Sequence, residues 1–157
     1  MFGKIVTMTT PIHLSWKKAD KNPNLRWRAL NEFLAFVPKL ASAQRVAYLA
    51  YSYSWHIEIG GHYDYFSTRR FYDPEVLSAL VTVGATEQAS ILTTVLDAIR
   101  AASDLAPQKY SNRFAAGVET ADLSEFDEAW GRCTRSVAEC LLDYTSKHES
   151  DFFEWKP

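Results

Sequence analysis

Two adjacent glycines, Gly60-Gly61, constrain this chain more than any other feature. They end a helical pattern in which Val46, Leu49, Ala50, Tyr53 and Ile57 recur at spacings of three and four, which places them on one apolar helix face. The aromatics Tyr63, Tyr65 and Phe66 follow at once, and Asp73-Pro74-Glu75 opens another helix. Glycine reaches positive φ without a Cβ clash, so the pair predicts a helix stop and a tight turn. Gly60 or Gly61 is expected at positive φ, with Tyr63 and Phe66 packed under the turn.

The remaining pattern is helical throughout. Asn22-Pro23 reads as a cap followed by proline at the first helical position, with Leu25, Leu30, Phe33, Leu34 and Val37 behind it and Pro38 as the stop. Val76, Leu77, Leu80 and Val81 lie inside the helix that ends at Gly84, and Thr86 is the expected cap of the next. There, Ile91, Leu92, Val95, Leu96 and Ile99 form the cleanest stripe. Residues 101–121 read as a loop with one helical turn near Arg113. Phe126, Trp130, Cys133, Val137, Cys140 and Tyr144 then predict one long late helix from about Leu123 to His148. No alternating run is long enough to build a sheet. The expected fold is all-α: a single-domain bundle of five to six helices over residues 22–148, with an N-terminal arm at 1–21 and an acidic aromatic tail at 149–157.

A chain of 157 residues can bury a full core without disulfides or metals. Its two cysteines, Cys133 and Cys140, read as one face of one helix. Seven residues there span roughly 10 Å, beyond the Cα separation of about 7 Å that a disulfide tolerates. Both are expected as free thiols. No apolar run approaches the roughly 18–20 residues of a membrane span, and the N-terminus lacks the apolar core of a signal peptide. The expectation is a cytoplasmic protein without membrane contact. Charge is divided unevenly: residues 1–80 hold ten Lys/Arg against six Asp/Glu, and residues 81–157 hold seven against thirteen. The basic half is too weak for a nucleic-acid surface, so direct nucleic-acid binding is not expected.

Three segments carry a resemblance: Ile59-Gly60-Gly61-His62-Tyr63-Asp64-Tyr65-Phe66, then Ala79-Leu80-Val81-Thr82-Val83-Gly84-Ala85, then Leu123-Ser124-Glu125-Phe126-Asp127. In this order they resemble the DNA-mimic-protein family, whose pattern is Asn-Gly-Gly-Phe-x-Gln-Tyr-Phe, Ala-Leu-x-x-Ile-Gly-Ala and a late helix opening Leu-x-x-x-Asp. Here Ile59 replaces the asparagine, His62 the phenylalanine and Asp64 the glutamine. The resemblance covers residues 42–148 and implies an all-α fold. It also implies an acidic protein that occupies the DNA-binding surface of another protein, although the net charge here is only −2.

Enzymatic signatures do not assemble. His56-Ile57-Glu58 matches half of the zinc-deaminase signature, which also needs Pro-Cys-x-x-Cys. No Gly-x-Ser-x-Gly elbow and no phosphate-binding loop is present. His56, Glu58, His62 and Asp64 are the residues closest to a metal set and read instead as polar groups beside the turn. No metal, no cofactor and no catalytic residue is expected. Glu119, Asp122, Glu125, Asp127 and Glu128 crowd into ten residues at a helix start. A helix N-terminus favours negative charge, and the same acids suit a basic protein surface. The sequence therefore points to a non-enzymatic protein-binding module whose partner presents a basic surface. An inhibitor of a DNA-binding-type surface is the most specific form. A toxin-neutralising immunity protein and an assembly protein, homodimeric through exposed aromatics, are the alternatives.

Overall fold

The computed structural model describes residues 42–69, 74–109 and 111–152. The arm at 1–21, the helix expected after Asn22-Pro23 and the tail beyond Phe152 lie outside these residues. Among the described residues the chain forms seven helices: α1 (Ser42–Arg69), α2 (Pro74–Val83), α3 (Thr86–Leu105), α4 (Arg113–Thr120), α5 (Ser124–Gly131), α6 (Val137–Lys147) and α7 (Glu149–Phe152). The fold is all-α, and no helix among the described residues is long and apolar enough to cross a membrane.

The glycine pair breaks the helix at Gly61 without a tight turn: two helical segments meet there at a kink. α1 runs through it for 28 residues and is kinked at Gly61, whose φ of 74° and ψ of 179° are non-helical. Only glycine occupies that backbone region readily. Phe66 and Tyr65 are buried beyond the kink, whereas Tyr63 is 51% exposed. The second positive-φ glycine is Gly84, which ends α2 as the sequence pattern predicts. With φ of 87°, it lets its own N–H reach the Val81 carbonyl and that of Ala85 reach Leu80, a Schellman closure of α2. α3 begins at Thr86 without side-chain capping, so Thr86 is not the expected cap.

Two further boundaries differ from the sequence pattern. Part of the expected loop at 101–121 is helical: α3 continues to Leu105 and α4 follows. Asn112 caps α4 by accepting the Ala115 N–H at 3.0 Å. Arg113 donates to the carbonyls of Ser103, Ala106 and Pro107 and so satisfies the C-terminus of α3. A Cβ on Gly117 would lie 2.3 Å from the Ile99 backbone oxygen. Glycine there lets α4 seat directly on the α3 backbone.

The single late helix is in fact two. α5 ends at Gly131 and α6 starts after Ser136. Ser136 and Glu139 form a reciprocal capping box, a sequence signal readable at Ser136-Val137-Ala138-Glu139. α3 fixes the break. The Glu87 carboxylate accepts the N–H and hydroxyl of Thr134 at 2.8 and 3.1 Å, and buried Gln88 donates to the Arg135 carbonyl at 2.5 Å. Cys133 therefore sits in the break and Cys140 in α6; both are free. Glu128–Arg132 is an ion pair at 3.5 Å, and Arg135 pairs with Asp143 at 2.6 Å.

The core is one cluster to which all seven described helices contribute, with Tyr53, Phe66, Leu80, Leu92 and Leu141 fully buried. Phe152 is also 1% exposed, so the start of the expected tail is an anchored part of the domain. Gln44 donates to the Asp151 carbonyl at 2.5 Å and ties α7 to the start of α1.

Candidate functional site

The site is built where α5 meets the kink of α1. At Gly61 the backbone leaves helical geometry, and the N–H of His62 becomes the start of a new helical segment. Such a group has no partner within its own helix. Asp127, 65 residues away in sequence, supplies one: its Oδ1 accepts the His62 backbone N–H at 2.8 Å. The same oxygen accepts Nδ1–H of the His62 ring at 2.5 Å. A carboxylate only accepts, so the bond places the ring proton on Nδ1. Nε2 of His62 is then a bare lone pair, buried and without a hydrogen-bond partner among the described residues.

The surroundings of His62 are aromatic. Its ring lies edge-on to Tyr53 at 6.2 Å and to Trp130 at 5.8 Å, and Tyr53 also meets Tyr65 at 4.8 Å and Trp130 at 5.5 Å. The side chain of His62 is 0% exposed and that of Asp127 is 40% exposed. Burial pushes the His62 pKa below its ordinary value, against the opposing hydrogen bond and charge of Asp127. The site therefore holds a neutral imidazole against a carboxylate.

The geometry also explains the choice of glycine. A Cβ on Gly61 would lie 2.5 Å from Oδ2 of Asp127. One on Gly60 would lie 2.6 Å from Oδ2 of Asp64. Two carboxylates thus flank the pair, one from α5 and one from α1 itself.

The structure disperses the histidine and carboxylate set. His56 donates Nδ1–H to the Ser52 carbonyl at 2.6 Å, Glu58 accepts from Ser54 at 2.9 Å, and His62 faces Asp127. Among the described residues no group of three or more His, Cys, Asp or Glu side chains could hold a metal ion.

The five acids at 119–128 divide by role. Asp127 turns toward the kink. Asp122 accepts the N–H and hydroxyl of Ser124 at 3.0 and 2.6 Å, and these bonds hold its carboxyl below the usual range. Glu128 meets Arg132. Glu119 and Glu125 are exposed. Asp122, Glu125 and Glu128 are exposed on α5 and the turn before it, so four of the five point outward around the α4–α5 corner. Sequence reading took Asp127 as one more surface acid; its link to His62 is a tertiary contact with no local signal.

The contact also joins two of the family segments: the glycine-pair segment and the late-helix segment meet at His62 and Asp127. No curated protein and no solved structure matches the chain. The model of the DMP19-like protein family matches residues 38–148, which contain the kink, the α4–α5 corner and all of α6, and the chain belongs to that family.

Proposed function

We propose that this protein is a non-enzymatic inhibitor that covers the basic, DNA-binding-type surface of a protein partner with its acidic α4–α5 corner. The observation that carries this reading is the exposure of Glu119, Asp122, Glu125 and Glu128 within ten residues. Asp64 and Asp127 extend the negative potential toward the kink. The body supports the same sign: residues 42–157 hold ten Lys/Arg against seventeen Asp/Glu. Membership of the family adds the expectation of a DNA-binding partner. An acidic face of this kind accelerates encounter with a basic surface and is screened over about 10 Å at 0.1 M salt.

The test is association kinetics with a partner captured from the native cell extract. Changing Asp122, Glu125 and Glu128 to the amides preserves side-chain shape and is expected to slow association and flatten its salt dependence. The captured partner should also lose its DNA when the wild-type protein is added. Unchanged kinetics in the triple variant would leave these acids with only their part at the helix N-terminus.

A further inference from the structure

We propose that His62 and Asp127 form an acid-sensitive latch: when the buried His62 ring takes up a second proton, α5 lifts off the kink of α1 while the rest of the domain stays folded. The geometry holds a conflict that only protonation exposes. In the neutral ring, Nδ1–H donates to Oδ1 of Asp127 at 2.5 Å. Nε2 is a lone pair in an aromatic pocket edged by Tyr53 and Trp130, with no hydrogen-bond partner among the described residues. The proton that acid adds goes to Nε2. The two ring nitrogens lie on opposite sides of the imidazole, so the new N–H points away from Asp127, which is already engaged at Nδ1. A charged donor without an acceptor is far costlier to bury than a lone pair. Burial outweighs the pull of Asp127 on the ring, so acid favours the conformer in which the ring meets water.

No second charge relieves the conflict. Asp127 is the one charged group among the described residues that acts on the ring, and the Tyr53 phenol is the other titratable side chain beside it. On α1, His56 bonds the Ser52 carbonyl, Glu58 bonds Ser54 and Asp64 lies beside Gly60. On α5, Glu128 pairs with Arg132 and Glu125 is exposed. The other helices packed on α1 turn Glu75 to Arg45, Asp143 to Arg135 and Asp151 to His148, and leave Glu119 exposed.

Of the two latched elements, α5 is the lightly anchored one. Phe126 is its one buried residue, and it lies between non-helical residues at 121–123 and 132–136. α1 is held in the core on both sides of the kink, by Tyr53 and Ile57 and by Tyr65 and Phe66. Gly61 adds backbone freedom next to the ring. The union of α3 with α6 does not pass through the latch: Leu92 and Leu141 are fully buried, and Glu87 and Gln88 hold residues 134 and 135 directly. α5 also carries Glu125 and Glu128, so release moves two acids of the corner. The latch itself does not depend on the partner reading of that corner.

The test is nuclear magnetic resonance of the isotope-labelled full chain from pH 7.5 to 5. At the upper end the imidazole nitrogens of His62 should report the tautomer with its proton on Nδ1. Below the ordinary histidine value of about 6.5, and above the native one, the open population should rise about tenfold per pH unit. The amides of residues 61–63 and 125–130 and the Trp130 indole should shift together. These amides should also lose at least about tenfold in exchange protection, corrected for the intrinsic rate, while those of Leu92 and Leu141 keep theirs. His62→Phe keeps an aromatic ring in the pocket and should abolish the transition. If the amides at the kink and on α5 have not moved by pH 5, the ring either keeps its neutral state or holds its proton in place, and the proposal fails. Loss of protection at Leu92 and Leu141 with the same midpoint would mean global unfolding and would overturn it as well. Both outcomes are read in the wild type and need no variant. A transition that persists in His62→Phe would assign the proton to Asp127 and equally overturn the latch.

Discussion

Asp127 on α5 closes the break in α1 by accepting both N–H groups of His62, one from the backbone and one from the ring. One carboxylate thereby replaces the intrahelical bond that the kink removes, and it ties the late part of the chain to its first described helix. The contact is part-buried, where a lost partner is costlier than in open water.

The two glycines should respond differently. Gly61 has a φ of 74° and faces the Asp127 carboxylate, whereas a Cβ on Gly60 meets only the side chain of exposed Asp64. Gly61→Ala is expected to destabilise by about 2 kcal/mol or more. Gly60→Ala should cost less than about 1 kcal/mol, because the flexible Asp64 side chain can move. Urea unfolding of both variants measures the difference, and equal losses would contradict the backbone argument.

Removal of Asp127 should expose its double role. Asp127→Ala is expected to cost about 1–3 kcal/mol through the lost cap and an unsatisfied His62 N–H. In a His62→Phe background the ring bond is already absent but the backbone N–H remains. The cost of Asp127→Ala should therefore shrink without vanishing, with a coupling of about 0.5–2 kcal/mol in a double-mutant cycle. Strict additivity would show that the ring contact contributes nothing.

Stability should depend on pH through His62. Its native pKa is depressed by burial, so below the ordinary histidine value of about 6.5 the unfolded chain takes up a proton that the native chain does not. The stability tied to neutral His62 is fully present above that value and is lost as pH falls through it toward the native pKa, by up to about 1.4 kcal/mol per pH unit. The lowered carboxyls of Glu75, Asp122 and Glu139 act in a more acidic window. Melting curves from pH 7.5 to 5 should slope for the wild type and be flatter for His62→Phe. Parallel curves would remove His62 as the cause.

Gly117→Ala should weaken the seat of α4 on α3. The added methyl would meet the Ile99 carbonyl oxygen at 2.3 Å, and a backbone atom cannot move aside as a side chain can. Overpacking of this kind typically costs about 1–3 kcal/mol, readable as a lower thermal midpoint; an unchanged one would mean that α4 shifts freely.

Phe152→Ala should cost about 3–5 kcal/mol if the end of the described chain belongs to the core, since Phe152 is 1% exposed and sits 6.4 Å from the Tyr144 ring. Wild-type stability would instead make α7 an appendage.

Periodicity alone determined that this chain is helical. The stripes at Val46–Ile57 and Ile91–Ile99 need only one helix face to be read, and Gly84 announced a helix end because αL backbone is a local property of glycine. The acidic cluster was legible for the same reason, as composition within ten residues. Three features were decided only by packing. The late stripe is continuous in period, so the break between α5 and α6 followed from Glu87 and Gln88 holding residues 134 and 135, with only the capping box as a local trace. α4 is too short to show a face of its own and is fixed by Asn112 and by the close approach of Gly117 to α3. The kink required both a glycine at 61 and a carboxylate at 127. Sequence displayed each as a separate motif, but a hydrogen bond across 65 residues has no period, and only the folded chain could bring its two ends together.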